Sequence, residues 1–285
     1  MTLLNRSTDP EKETLLLISG VGVNAGRIEI VKEVSFSAVA GEVLAIIGPS
    51  GSGKTTLMRA MTGESAYRGS IELAGRQVRE LGPGAQADLR GVLPQNSQIS
   101  FPLNVTEVVS LGFLSHRPER VDRGPRVKEA LAKVGLNGFE GRIYQDLSGG
   151  EQQRVQLARV LVQVWDPVPM DGPAHWLFLD EPVSSLDIKH QYQIMQLARD
   201  YADSGGGVVT VMHDLNLTLA FADKVLVMKD GYGLAFGRRE EVMTAELLST
   251  AYDFPLKMTA NENGEDPLVT PERFRSRPRL AEPTE

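Results

Sequence analysis

The stretch GPSGSGKTT, from Gly48 to Thr56, has the composition and spacing of a loop that binds phosphate. It matches the pattern G-x-x-x-x-G-K-[ST], follows the apolar run VLAII and precedes a run of helical character, which is the context that the pattern requires. Its glycines would let the backbone wrap around phosphate oxygens. Lys54 would reach the β- and γ-phosphates, and the Thr55 hydroxyl would bind Mg²⁺. The candidate nucleotide-binding residues are Gly48, Pro49, Ser50, Gly51, Ser52, Gly53, Lys54, Thr55 and Thr56.

A second candidate is WLFLDEP, an apolar run that ends in two carboxylates, Asp180 and Glu181. Ligands of open α/β sheets bind at the carboxyl ends of the strands. Asp180 is therefore predicted to hold Mg²⁺, while Glu181, pointing elsewhere, is placed to accept a proton from attacking water. Two acids at a strand end are, taken alone, more often simply solvated, but the upstream phosphate loop favours the chemical interpretation.

Two further polar residues follow β-type runs. Gln95, in VLPQ, could contact Mg²⁺ or the attacking water through its amide, and His213, in VTVMHD, could hydrogen-bond the γ-phosphate. An isolated glutamine is more often a surface residue, and a lone histidine after a strand is more often structural. From these residues alone both interpretations stay open.

The stretch LSGGEQQR begins a second helix that could bind an anion at its N-terminus. One phosphate site needs only one phosphate loop, so a second anion-binding helix start makes sense if it serves the ATP of another molecule. In a head-to-tail pair, Ser148, Gly149 and Gly150 would cap the γ-phosphate held by the other copy, and two-fold symmetry would give two equivalent sites. Ser148 with Glu151 three residues later also resembles a capping box, and both interpretations can hold at once.

The composition narrows the class of protein. The 285 residues suit one large domain or a core with a sub-domain, and a hydrophobic fraction of 41% is enough for a packed core. The net charge of −7 argues against nucleic acid or an anionic membrane as the main partner. The absence of cysteine excludes disulfides, thiolate metal sites and cysteine nucleophiles.

Apolar runs and helical runs alternate along the chain, which predicts an α/β fold with a parallel sheet covered by helices on both faces. From about residue 96 to 157 the pattern is only helical, which indicates an inserted helical sub-domain. We therefore predict a nucleotide-binding domain over 1–258, with a core at about 14–95 and 158–240. A polar tail over 259–285 is expected to be poorly ordered. Because the start is polar and charged and no run reaches membrane length, we expect a soluble protein without a signal peptide that docks on a membrane protein.

Six motifs together resemble the nucleotide-binding subunit of ABC transporters: GPSGSGKTT, VLPQ, LSGGEQQR, WLFLDEP, SSLD and VTVMHD, in the family's order over about residues 14–240. The resemblance implies a P-loop NTPase core of the RecA-like type, an antiparallel β sub-domain and an inserted α-helical sub-domain. It also implies ATP and Mg²⁺ as ligands. Lys54 and Thr55 would serve phosphate and Mg²⁺, Glu181 would be the catalytic base and His213 the switch histidine.

The resemblance further implies a homodimer that closes on ATP and drives two transmembrane permease subunits from the cytoplasmic face of the membrane. Gln95 would sense the γ-phosphate and couple to the permease, Ser148 and Gly150 would act in trans, and Asp187 of SSLD would lie at the dimer contact. A substrate-binding protein would act through the permease, and no nucleic acid is involved.

One region departs from the family pattern. The loop before the second strand usually stacks an aromatic residue on adenine, but the corresponding GVGVNAGRIEI has none. Val21 or Val23 is expected to give a weaker apolar contact to the base. The guanine-reading pattern N-K-x-D is also absent, so ATP is favoured over GTP.

Within the family, the chain is most similar to the ATPases of haem importers. The resemblance lies in VLPQNSQISFPLNVTEVVSLGF, in the Pro-rich segment before WLFLDEP and in HDLNLTLAFADKVLVMKDG. It implies an ATPase that energises haem (hemin) uptake, with a ferric-siderophore or cobalamin importer and a soluble non-transport ABC ATPase as alternatives. Since the cargo should never enter this subunit, His116, His175 and His190 are interpreted as surface or structural histidines.

Overall fold

The structure of the protein, a computed structural model, describes residues 15–97, 99–113, 122–259 and 267–272. In these ranges the strands are β1 (Leu15–Ala25), β2 (Ile28–Val39), β3 (Val43–Ile47), β4 (Arg68–Leu73), β5 (Arg76–Gln77), β6 (Arg90–Leu93), β7 (Trp176–Asp180), β8 (Gly207–Val211), β9 (Lys224–Lys229), β10 (Tyr232–Arg238), β11 (Leu256–Thr259) and β12 (Leu268–Pro271). The α-helices are α1 (Lys54–Met61), α2 (Pro83–Leu89), α3 (Val105–Ser110), α4 (Arg123–Lys133), α5 (Gly149–Gln163), α6 (Ile188–Asp203), α7 (Leu215–Phe221), α8 (Arg239–Val242) and α9 (Ala245–Tyr252). None of these helices combines the length and the apolar character needed to cross a membrane.

A six-stranded sheet in the order β10-β9-β3-β8-β7-β6 forms the centre of the fold. All neighbours pair in parallel except β10, which runs antiparallel to β9 at one edge. Every residue of β3, β7 and β8 is buried. Strands buried on both faces read as continuous apolar runs, and VLAII, WLFLD and GVVTV do so. The predicted α/β fold with a parallel sheet is confirmed.

The two faces of this sheet are covered by different layers. Trp176 and Phe178 of β7 pack with α1 and with an antiparallel sheet in the order β2-β1-β4-β5, whereas Leu177 and Leu179 face the other apolar core, which includes α5 and α6. Successive residues of a strand point to opposite faces, so one strand supplies both cores. The antiparallel sheet agrees with the β sub-domain that the family resemblance implies.

The segment between β6 and β7 is helical in its described part. It contains α3, α4, the short 3₁₀ turn Tyr144–Asp146 and α5, and α5 packs against both α3 and α4. Capping boxes begin two of these helices, with Asn104 and Glu107 at α3 and with Ser148 and Glu151 at α5. Helix α5 continues to Gln163, past the predicted boundary at residue 157. The division into core and insert stays a prediction.

The C-terminal region contains more regular structure than we expected from its composition. Beyond β10, the helices α8 and α9 lead into β11, which pairs antiparallel with β12 inside the tail that was expected to be poorly ordered. Val269 of β12 is buried in the main core. One inward valine in a four-residue strand gives too little periodicity to be recognised among prolines and charges.

Gly207 at the start of β8 offers a test of this packing. A Cβ atom added there would lie 2.2 Å from Cδ2 of the fully buried Trp176. Because neither the strand nor the indole has room to move, Gly207→Ala should lower the free energy of unfolding by about 1–3 kcal/mol, measured by denaturant titration. Gly141→Ala is the matched control, since an added Cβ atom meets nothing within 4 Å. Equal stabilities of the two variants would contradict this account of the sheet.

Candidate active site

The phosphate loop connects the end of β3 to the start of α1, and its glycines are required by the backbone. A Cβ atom on Gly48 would lie 2.1 Å from the carbonyl oxygen of Met228 in the neighbouring strand β9. Gly53, the N-cap residue of α1, has a left-handed φ of 99°. Only glycine adopts such a conformation at no steric cost. The close approach and the left-handed cap together form the turn.

Lys54 is the first residue of α1, and its side chain folds back into the loop. It is only 5% exposed, and its Nζ donates to the carbonyl oxygens of Gly48 at 2.8 Å and Pro49 at 3.0 Å. Burial lowers the pKa of Lys54, while the nearby charges of Glu181 and Asp180 oppose that shift. The ammonium group is therefore held inside the loop by carbonyl oxygens for which phosphate oxygens could substitute.

Asp180 and Thr55 come together across the same edge of the sheet. The Thr55 hydroxyl donates to Asp180 Oδ1 at 3.2 Å, and Asp180 is 3% exposed. Burial and, to a smaller extent, the charge of Glu181 raise the pKa of Asp180, although the bond from Thr55 lowers it. A hydroxyl and a carboxylate are hard oxygen donors of the kind that Mg²⁺ prefers.

Glu181 faces away from this pair and meets His213. Its Oε1 lies 2.5 Å from His213 Nε2, and its backbone N–H donates to the carbonyl oxygen of Val211 at 3.2 Å. The backbone of Glu181 has a left-handed φ of 53°, which is uncommon for a residue with a long side chain. This turn separates the two carboxylates: Asp180 stays buried beside Thr55, and Glu181 reaches the histidine.

These residues surround one cleft of about 560 Å³. Its lining consists of Ile30, Ser50, Gly51, Gly53, Lys54, Thr55, Thr56, Gln95, Glu181 and His213. The structure thus brings residues from the phosphate loop and from the ends of β6, β7 and β8 to one place. Ser52 adds a buried hydroxyl that has no hydrogen-bond partner among the described residues. Buried polar groups are normally paired, so this hydroxyl and the charged lining fit a polyanionic ligand.

Ser148, Gly149 and Gly150 do not line this cleft. Gly149 lines an adjoining cleft of about 260 Å³ that shares Gln95 with the first. A Cβ atom on Gly150 would lie 3.0 Å from the Ser185 carbonyl oxygen, whereas one on Gly149 would meet nothing within 4 Å. Within one chain, Ser148 caps α5 and Gly150 permits close packing on the SSLD loop. Their predicted contact with a second copy's nucleotide stays a prediction.

Asp187 is the N-cap residue of α6 and lines neither cleft. Its Oδ1 accepts from the backbone N–H of His190 at 2.9 Å and lies 2.8 Å from His190 Nδ1. The bond from the His190 N–H, followed by the contact with the imidazole, lowers the pKa of this carboxyl group. His190 therefore has a local structural contact. His175 is buried, with backbone bonds to Pro167 and Gly207, and His116 lies outside the described residues.

The expected contact of Val21 or Val23 with adenine is wrong. Both side chains are buried in the core beneath the antiparallel sheet, at 0% and 3% exposure. Register shifts on both sides of Val21 place bulges in β1 and keep these valines on the core side. Ile30 lines the cleft instead, and Ile28 on the same hairpin is 68% exposed.

Gln153 makes contacts near Glu181 that the sequence analysis did not predict. Its Nε2 donates to the carbonyl oxygen of Glu181 at 2.9 Å, and its Oε1 accepts from the Ser185 hydroxyl at 2.5 Å. The same Glu181 carbonyl accepts from the Ser184 hydroxyl at 3.2 Å. One amide of α5 thereby links the helical segment to the turn that carries Glu181. The sequence shows that Gln153 lies within LSGGEQQR, but it does not show that Gln153 bonds to Glu181, 28 residues away.

Comparison with known proteins identifies the family of this chain. Residues 31–184 match the family model described as ABC transporter. A hemin import ATP-binding protein HmuV of Jannaschia sp. (strain CCS1) is 52% identical over 90% of this chain and 94% of its own length. The HmuV of Rhizobium johnstonii (strain DSM 114642 / LMG 32736 / 3841) is 49% identical over 93% of this chain and its full length.

Solved structures show the same fold at lower sequence identity. A transporter of the metal-chelate type in an inward-facing conformation aligns with a TM-score of 0.74 and 23% identity, covering 91% of this chain and 98% of that one. The ATP-binding subunit of another ABC transporter aligns with a TM-score of 0.71 and 20% identity, covering 80% and 92%.

The protein belongs to the ABC transporter family. It is an ATPase subunit of that family, which binds ATP and couples its hydrolysis to transport through membrane permease partners. The predicted family and its fold are both confirmed.

Gln153→Leu tests the link between α5 and Glu181. The change keeps the size of the side chain but removes the donor to the Glu181 carbonyl, so the left-handed turn loses one of its supports. We expect kcat of the isolated subunit to fall by about 10-fold, as misplaced catalytic groups typically cause, with the affinity for ATP unchanged. Gln152→Leu is the control, because that amide bonds to Tyr144 and Leu147 instead. Equal kcat values for the two variants would show that Gln153 does not support the position of Glu181.

Proposed function

We propose that this chain is the ATP-hydrolysing subunit of an importer that takes up haem (hemin) across the cytoplasmic membrane. The observation that supports the chemistry is the single cleft lined by Lys54, Thr55, Glu181 and His213, with Asp180 bonded to Thr55 beside it. The haem assignment rests on the named relatives, which are about half identical to this chain over most of its length.

The lining residues have complementary roles in nucleotide binding. Lys54 would exchange its two carbonyl partners for phosphate oxygens, and the loop backbone with Ser52 would bind the rest of the phosphate chain. Thr55 and Asp180 would hold Mg²⁺, with the carboxylate acting through water. The metal would neutralise phosphate charge. The raised pKa of Asp180 supports this role, since a buried carboxylate is stabilised by a nearby cation.

Hydrolysis would begin when Glu181 accepts a proton from the attacking water. His213 would orient Glu181 and contact the γ-phosphate, which the 2.5 Å approach of the two side chains supports. Gln95 lines the same cleft and would sense the γ-phosphate and pass the change to the permease.

Two copies would close on two ATP molecules. Ser148, Gly149 and Gly150 of one copy would cap the γ-phosphate bound by the other copy, with Asp187 at the contact. These three residues do not line the phosphate cleft of their own chain, which is consistent with binding the nucleotide of a second copy. ATP would drive closure through contacts that only the closed state makes, and their loss on conversion to ADP would reopen the pair. The assembly would contain two permease subunits at the cytoplasmic face of the membrane and receive haem from a substrate-binding protein.

Glu181→Gln removes the base while preserving the shape of the side chain. We expect turnover to fall by roughly 10²–10⁴-fold, with ATP binding and ATP-dependent dimerisation retained. Steady-state hydrolysis and size-exclusion chromatography with ATP measure the two properties. Normal turnover in this variant would show that Glu181 is not the base.

Lys54→Ala removes the buried ammonium from the phosphate loop. We expect ATP affinity itself to fall, because the lysine contact with the phosphates is lost in both the ground state and the transition state. Equilibrium titration with a fluorescent ATP analogue measures it, and an unchanged dissociation constant would contradict the phosphate-loop assignment.

The cargo is tested with the subunit reconstituted with its own permease in liposomes. We expect haem-loaded binding protein to stimulate ATP hydrolysis. Stimulation by a siderophore-loaded or cobalamin-loaded protein alone would support the assignment as an importer ATPase but change the assigned cargo. Failure to associate with any permease would favour a soluble ABC ATPase.

A further inference from the structure

The C-terminal clamp, defined as residues 245–259 and 267–272, contacts both the phosphate loop and the helix that follows His213. At one end, the backbone N–H of Gly48, the first residue of the phosphate loop, donates to the Tyr252 hydroxyl at 3.1 Å. Tyr252 is the last residue of α9, and it packs against the main core. These two partners lie 204 residues apart in the chain.

At its other end the clamp holds the helix that follows His213. The Asn216 side chain accepts from the backbone N–H of Val269 at 2.8 Å and donates to the carbonyl oxygen of Val269 at 3.3 Å. Asp214, the N-cap residue of α7, accepts from the backbone N–H of Asn216 at 2.8 Å. The side-chain amide of Asn216, three positions after His213, thus bonds to both the N–H and the carbonyl group of Val269.

The two ends are joined by polar and strand contacts. The Ser249 hydroxyl of α9 donates to the Ala245 carbonyl oxygen of its own helix at 2.6 Å and accepts from the Leu256 N–H at 2.9 Å. Strand β11 then pairs with β12, with Met258 opposite Val269. A continuous connection therefore runs from Gly48 through α9 and the β11–β12 hairpin to Asn216.

We propose that Tyr252 and Asn216 are positioning residues, through which the clamp sets the spacing between the phosphate loop and His213. The inference rests on the proposed role of His213 in hydrolysis. Burial of the Val269 side chain would by itself anchor the hairpin in the core. It does not explain why the hydrogen bonds of the clamp end at Gly48 and at Asn216, close to His213. Each bond fixes a backbone position: Tyr252 acts on phosphate binding, and Asn216 acts on the histidine that meets Glu181.

Substitutions of Tyr252 and Asn216 should therefore affect different quantities, the affinity for ATP and kcat respectively. In the full-length chain, Tyr252→Phe leaves the Gly48 N–H without its acceptor and should weaken ATP binding about 3- to 10-fold, as expected for the loss of one hydrogen bond. Asn216→Ala should lower kcat about 5- to 10-fold with the dissociation constant of ATP unchanged, because small displacements of catalytic groups reduce rate. Asn216→Asp keeps the acceptor for the Val269 N–H and should restore most of kcat.

Tyr232→Phe and Asn137→Ala are the matched controls, at exposed residues outside the clamp, and both should behave as the wild type. Thermal unfolding of each variant is measured in parallel with hydrolysis and ATP titration. If kcat falls only in proportion to the loss of folded protein, the clamp is merely structural and the inference is overturned. It is also overturned if both variants match the wild type while His213→Ala is inactive, and this result leaves the proposed function intact. An active His213→Ala would overturn the inference together with the role of the histidine.

Discussion

Parallel pairing of β3 with β8, and of β8 with β7, determines where the candidate catalytic groups lie. In this register Ala45 is opposite Thr210, and Thr210 is opposite Leu179. Three consecutive neighbours of the sheet therefore end at one edge. The phosphate loop leaves the first, His213 follows the second, and Asp180 with Glu181 ends the third. A shift of one residue in any of these pairings would exchange the side chains that pack into the two apolar cores, so packing on both faces fixes the register and with it the geometry of the candidate site.

Charge within the cleft follows from this arrangement. The sheet edge holds one buried ammonium, from Lys54, close to two carboxylates. Burial opposes ionisation of Lys54 and Asp180, which is reflected in the lowered pKa of the lysine and the raised pKa of the aspartate. A phosphate chain and a divalent cation would supply the opposite charges that both groups favour. The site is thus built around charges that a metal–nucleotide complex would stabilise.

Support for the candidate catalytic side chains comes from outside the central sheet. Gln153 of α5 bonds to the backbone of Glu181, and Asn216 of α7 joins the segment after His213 to the C-terminal hairpin. Helix α5 therefore contacts the turn that carries Glu181, and β12 contacts the helix that follows His213. Movement of either element would act on the same carboxylate–imidazole contact.

Local sequence patterns determined the class of fold and most of the cleft. The glycine spacing around Lys54, the apolar run before Asp180 and the capping pair of Ser148 with Glu151 are short-range signals, and each reflects a local backbone requirement. Tertiary structure alone decided the rest. It buried Val21 and Val23, brought Ile30 to the cleft, turned Glu181 toward His213, and paired part of the tail as β12. It also joined Gly48 to Tyr252 across 204 residues. Such contacts depend on how strands bulge and sheets stack, and the periodicity of a chain records which face of an element is apolar but not which distant residue will meet it.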